Sequence, residues 1–64
     1  MENERQTAVA RLLLIDEVAE GLGVSTRTVR RLIARRELVA CRLGRSVRVH
    51  PDDLAAYIDR RRAR

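Results

Sequence analysis

The sequence contains neither phenylalanine nor tryptophan, and Tyr57 is its sole aromatic residue. Proteins that hold single strands or RNA loops stack bases on exposed rings, so that mode of binding has nothing to work with here. Lysine is missing as well, since all fourteen basic residues are arginine. Arginine carries the planar fork suited to phosphates and guanine edges, but a GC-rich genome produces the same bias, and the genomic explanation weighs more. One cysteine (Cys41) allows no intramolecular disulfide, and with one histidine (His50) it cannot assemble a structural zinc site. No apolar run approaches the ~18 residues of a membrane span, and the opening "MENERQTAVA" lacks the basic and apolar regions of a signal peptide. The expectation is a soluble cytoplasmic protein without a membrane partner. No Ser, His and Asp set, glycine-rich phosphate loop or metal-ligand spacing is present, and the adjacent Asp52 and Asp53 diverge at a helix start. The sequence therefore argues against an enzyme and implies no cofactor and no metal.

What is present is positive charge, unevenly placed. The 64 residues carry a net +5. Residues 1 to 24 hold five acids against Arg5 and Arg11, whereas residues 25 to 50 hold eight arginines against the single acid Glu37. Such a concentrated block on a small protein points to a polyanion, with nucleic acid the commonest. A chain of this length buries only about 60% of its unfolded surface, so its core must be thin.

Residues 1–10 are polar and of mixed charge, which reads as a tail or a loosely packed helix; residues 11–62 read as one domain. From Ile15 the apolar positions Ile15, Val18, Ala19 and Leu22 share one helical face, while Asp16, Glu17 and Glu20 point away. Gly21 and Gly23 are expected to end this helix, and Val24 to plug the turn. Ser25 is a good N-cap for a second helix that buries Val29, Leu32 and Ile33 and turns Arg27, Arg31 and Ala34 outward, flanked by Arg30 and Arg35. Arg36 falls by angle on the buried side. "VACRLGRSVRV" reads as a hairpin around Gly44-Arg45, with Cys41, Leu43, Val47 and Val49 inward and Arg42 and Arg48 outward. Pro51 opens a last helix, with Asp52 and Asp53 at its positive end, Leu54, Tyr57 and Ile58 as its buried stripe, and a terminal run of Arg60, Arg61, Arg62 and Arg64 that reads as a further phosphate contact or, slightly favoured, as a solvated end complementing the dipole. His50 reads as a junction or capping residue, and Cys41 as a small core residue. The fold class is mainly α with a small β-hairpin: helix, tight turn, helix, hairpin, the order of a winged helix-turn-helix.

Residues 13 to 58, above all "DEVAEGLGVSTRTVRRLI" and "LGRSVRVHPDDL", resemble the small excisionase-type DNA-binding domains related to MerR-type regulators. The resemblance implies that the helix from Thr26 to Arg35 lies in the major groove of duplex DNA and that the hairpin is a wing. DNA contacts are then expected from Ser25, Thr26, Arg27, Thr28, Arg30, Arg31 and Arg35 of the helix, and from Arg42, Arg45, Ser46 and Arg48 of the wing. Arg27 and Arg31 are placed to read bases, Arg30, Arg35, Arg42 and Arg48 to hold phosphates, and Arg45 to reach a minor groove or its phosphates. The family's role further implies an excisionase, or recombination directionality factor, whose copies bend attachment-site DNA and bias a phage integrase toward excision. A head-to-tail contact between copies is expected from the acidic face of residues 16 to 20 meeting arginines of a neighbour. A small phage transcription regulator of the same fold is the alternative, and a basic module meeting an acidic protein is an alternative of another class.

In three places the chain departs from that pattern. Leu14 stands where a Ser or Thr N-cap is common, Gly21 where a larger apolar residue is common, and Arg36 where a glycine usually ends the recognition helix. A non-glycine residue in a left-handed cap costs roughly 1 to 2 kcal/mol, so a differently built turn is expected at Arg36.

Overall fold

The computed structural model describes residues 11–62; residues 1–10, and residues 63–64 with the last arginine of the terminal run, lie outside the described residues. Within them the chain runs β1 (Leu13–Leu14), α1 (Ile15–Leu22), α2 (Thr26–Ala34), β2 (Cys41–Leu43), β3 (Ser46–Val49) and α3 (Pro51–Arg62). This is a winged helix-turn-helix, mainly helical, with a sheet one strand larger than the expected hairpin. The order is β1-β3-β2, both pairings being antiparallel. Leu13 lies opposite Val49 and Leu14 opposite Arg48, which ties the chain start of the domain to the inner strand of the wing.

Helix α1 starts at Leu14, which has no side-chain oxygen to offer as a cap. The Glu17 carboxylate reaches back and accepts from the Leu14 N–H at 2.8 Å, so only the reciprocal half of a capping box is formed. Gly21 is a helical residue; Gly23 alone ends the helix, at φ 72°. Val24 is 40% exposed and does not plug the turn. Ser25 caps α2 as expected, its hydroxyl accepting from the Thr28 N–H at 3.1 Å.

The end of α2 corrects two expectations. Arg36 is exposed, not on the buried side, and its φ of 64° is left-handed, so the glycine-type turn is kept with an arginine in it. Its N–H donates to the Ile33 carbonyl at 2.9 Å and the Glu37 N–H donates to the Leu32 carbonyl at 2.9 Å, which satisfies the carbonyls that the helix end leaves open. The chain then drives Leu38 into the core, where it is 1% exposed.

The core consists of Ile15, Val18 and Ala19 from α1, Val29 from α2, Leu38 and Val49, with Leu32, Ile33, Val47, Leu54 and Tyr57 half-buried around it. Each buried Val or Leu contributes about 1.5 to 3 kcal/mol, and a set this small leaves little margin. Helix α3 lies on this cluster through Leu54 and Tyr57, while Ile58 is exposed, contrary to the expected stripe. His50 caps α3: its Nδ1 accepts from the Asp52 N–H at 2.9 Å.

The faces of the wing also differ from expectation. The two-residue turn Gly44-Arg45 sets Leu43 opposite Ser46, Arg42 opposite Val47 and Cys41 opposite Arg48. Residues directly opposite share a face, so Val47 and Val49 lie with Arg42, whereas Cys41 and Leu43 lie with Arg48 on the other. Leu43 is accordingly 53% exposed, Cys41 is half-buried, and Arg48 is half-buried rather than fully outward.

Candidate nucleic-acid interface

Helix α2 and the wing meet along a shallow cleft of about 560 Å³. Its walls carry Arg30 from the helix and Arg42, Arg45 and Arg48 from the wing; Ile33, Ala34 and Val47 form the apolar floor, with Asp16 at one end. Gly44 shapes the wing tip: of the two turn residues it alone has a positive φ, at 65°, the pattern of a type II′ hairpin. That leaves Arg45 exposed at the tip. Arg48 is steadied by its own strand, its guanidinium donating to the Val47 carbonyl at 3.0 Å.

Arg27 and Arg31, one turn apart on α2, are exposed and lie outside the cleft, as does Arg35 at the C-cap. The sequence groups Arg30 with the flanking positions; the structure brings it into the cleft with the wing arginines. Ser25 and Thr28 are joined by a hydroxyl–hydroxyl bond of 3.1 Å, and Thr26 is half-buried at the first turn. Ser46 is exposed at the base of the wing tip.

The acids are disposed elsewhere. Among the described residues the carboxylates paired with arginine are Glu37 with Arg61 and Asp59 with Arg62, so no arginine of α2 or the wing is neutralised by a carboxylate. Like charges this close repel, and an external anion relieves them. Among the described residues no group of three His, Cys, Asp or Glu side chains could hold a metal ion, and no helix is long and apolar enough to cross a membrane.

Sequence reasoning missed one cluster. Arg60 and Arg61 are not merely a solvated end: the Arg60 guanidinium donates to the Glu37 carbonyl at 3.0 Å, and that of Arg61 donates to Glu37 Oε1 at 2.9 Å. Arg61 also lies over the Tyr57 ring, 5.3 Å from its centroid. Tyr57, and Glu37 after it, push the Arg61 pKa up. The available signal was Glu37 itself, the single acid within the basic block.

Residues 12–62 match the family model described as "Helix-turn-helix domain". The chain is 51% identical over 47 residues to a protein provisionally named as DNA-binding from Mycobacterium tuberculosis (strain CDC 1551 / Oshkosh), an overlap of 73% of this chain and 60% of that one. It is 54% identical over 45 residues to a protein named excisionase from Mycobacterium phage D29, an overlap of 69% of this chain and 80% of that one. The chain thus spans less than two thirds of the length of the M. tuberculosis relative. No solved structure matches it significantly.

Proposed function

The chain belongs to the helix-turn-helix domain family, and on that premise we propose that it is a sequence-specific duplex DNA-binding protein acting as a phage or prophage excisionase. The observation that carries the reading is the convergence of unneutralised arginines from α2 and the wing on one cleft. In this reading α2 enters the major groove, with Arg27 and Arg31 turned to base edges and Ser25 and Thr28 near a phosphate. Arg30, Arg42 and Arg48 hold backbone phosphates, and Arg45 reaches the neighbouring minor groove from the wing tip. The protein itself does no chemistry: several copies bind adjacent sites in cytoplasmic DNA, bend it, and direct a partner integrase toward excision.

The likeness to the phage D29 excisionase, over most of that protein's length, supports the recombination role. The acidic outer face of α1, with Glu20 exposed, supports a head-to-tail contact with arginines of the next copy. The M. tuberculosis relative carries no recombination role in its name, which favours a transcription regulator of the same fold as the second reading. A neighbouring recombinase gene separates the two.

The test is a salt titration on duplex DNA carrying a footprinted site. Neutralising about four to seven phosphates gives a log–log slope of roughly −4 to −6, and a slope near zero removes DNA as the partner. Arg27→Ala or Arg31→Ala weakens the specific site by about 1 to 3 kcal/mol and relaxes sequence preference, whereas Arg42→Ala weakens all duplexes alike.

A further inference from the structure

One residue of the basic block works against the attraction of that block for an anion. Glu37 is the single acid among residues 25 to 50, and it sits at the joint between the recognition helix and the wing. All three of its hydrogen-bonding groups are engaged. Its N–H donates to the Leu32 carbonyl at 2.9 Å, closing the end of α2. Its carbonyl accepts from Arg60 at 3.0 Å and its carboxylate from Arg61 at 2.9 Å, partners 23 and 24 residues further along the chain. Arg61 is itself held over the Tyr57 ring, and Tyr57 is anchored against the core. The joint also contains Arg36 in a left-handed conformation that arginine does not favour, so without outside support the local chain has reason to relax.

An exposed ion pair alone stabilises little. Here, however, the pair is one of two bonds that tie Glu37 to α3, while its N–H ties it to α2, and what they hold together is the direction in which the chain leaves α2 for the wing. Resting on the DNA-binding reading above, we propose that Glu37, gripped by Arg60 and Arg61, is a positioning residue that fixes the wing relative to the recognition helix. Arg27 and Arg31 can then engage bases while Arg42 and Arg45 engage the backbone of the same duplex. The clamp also withdraws Arg61 from the set of arginines available to phosphates.

Opposite signs make the inference testable. Removing an acid from a DNA-binding surface should tighten binding to every duplex, because it removes repulsion from phosphates. Loss of positioning should weaken the specific site. The full-length protein, Glu37→Ala and Asp59→Asn are compared on DNA with one footprinted site and on an unrelated duplex, below the melting temperature of each variant. The parent protein comes first: if it shows no salt-dependent binding to any duplex, the DNA-binding reading itself fails. Given a binding parent, Glu37→Ala is expected to lower the ratio of specific to non-specific affinity about tenfold, the scale of coupling between linked residues, while Asp59→Asn leaves the ratio unchanged. Exchange of the pair, Glu37→Arg with Arg61→Glu, keeps the net charge and is expected to recover most of the ratio. Should Glu37→Ala not fold, Arg61→Gln breaks the same contact from α3 and is expected to lower the ratio likewise. Equal or tighter specific binding with an unchanged ratio, in whichever variant folds, overturns the proposal.

Discussion

Helices α1 and α2 both end in a left-handed turn, with Gly23 at φ 72° in the first and Arg36 at φ 64° in the second. The hydrogen bonds match: Val24 N–H to the Ala19 carbonyl at 3.0 Å in one, Glu37 N–H to the Leu32 carbonyl at 2.9 Å in the other. Past the turns the likeness ends. After Gly23 come the exposed Val24 and then α2, whose first buried residue is Val29; after Arg36 come Glu37, gripped by α3, and at once the fully buried Leu38. In the first turn the backbone freedom of glycine is enough. In the second, tertiary contacts hold a residue whose own preference lies elsewhere, and the domain gains an arginine at the negative end of the α2 dipole.

The largest test of that difference is Leu38→Ala. Removal of a buried leucine costs ~2 to 5 kcal/mol, enough to abolish the cooperative thermal melt of so small a domain, whereas Val24→Ala at the corresponding place in the first turn shifts it little. A Leu38→Ala variant that melts like the parent would show that the second turn is held by something else. Next in size are the two turn positions themselves. Gly23→Ala meets no atom within 4 Å, so its cost of ~1 to 2 kcal/mol is purely conformational. Arg36→Gly is expected to raise stability by about 1 kcal/mol, or about 4 to 8 °C in Tm. An unchanged Tm for Arg36→Gly would mean that Glu37 and Leu38 had already absorbed the strain. Smallest is Gly21→Ala: this helical, exposed glycine has open space around it, and the change should add roughly 0.5 to 1 kcal/mol. A loss of stability there would mean that the first turn begins at Gly21 rather than Gly23.

Local signals explain most of what is legible in the sequence. Ser25 as a cap, the Ile15, Val18 and Ala19 face, and Pro51 at the start of α3 each depend on neighbours within one or two turns. The features that escape such signals are non-local. Strand β1 is two residues long and exists because Leu13 and Leu14 find β3 some 35 positions away, which no periodicity announces. In the wing, alternation is legible within each strand, but the phase between strands is set by the turn. A two-residue loop puts Leu43 opposite Ser46 and moves Cys41 and Leu43 off the face of Val47. For the interface, the arginines are legible from charge and helical angle. That Arg30 joins the wing arginines, and that Glu37 is spoken for by Arg60 and Arg61, depends on packing between distant segments.

The sheet has consequences for crowding as well. Its two outer strands are only two and three residues long, and each presents a row of backbone groups too short to template another chain. Strand β2 nevertheless follows the exposed Val39 and ends in the exposed Leu43, a composition that invites edge-to-edge pairing. Arg42 within the strand and Arg45 beyond it set like charges against any second copy approaching along that edge. The arginines of this edge therefore have a second effect, which is to oppose the merging of one sheet with another.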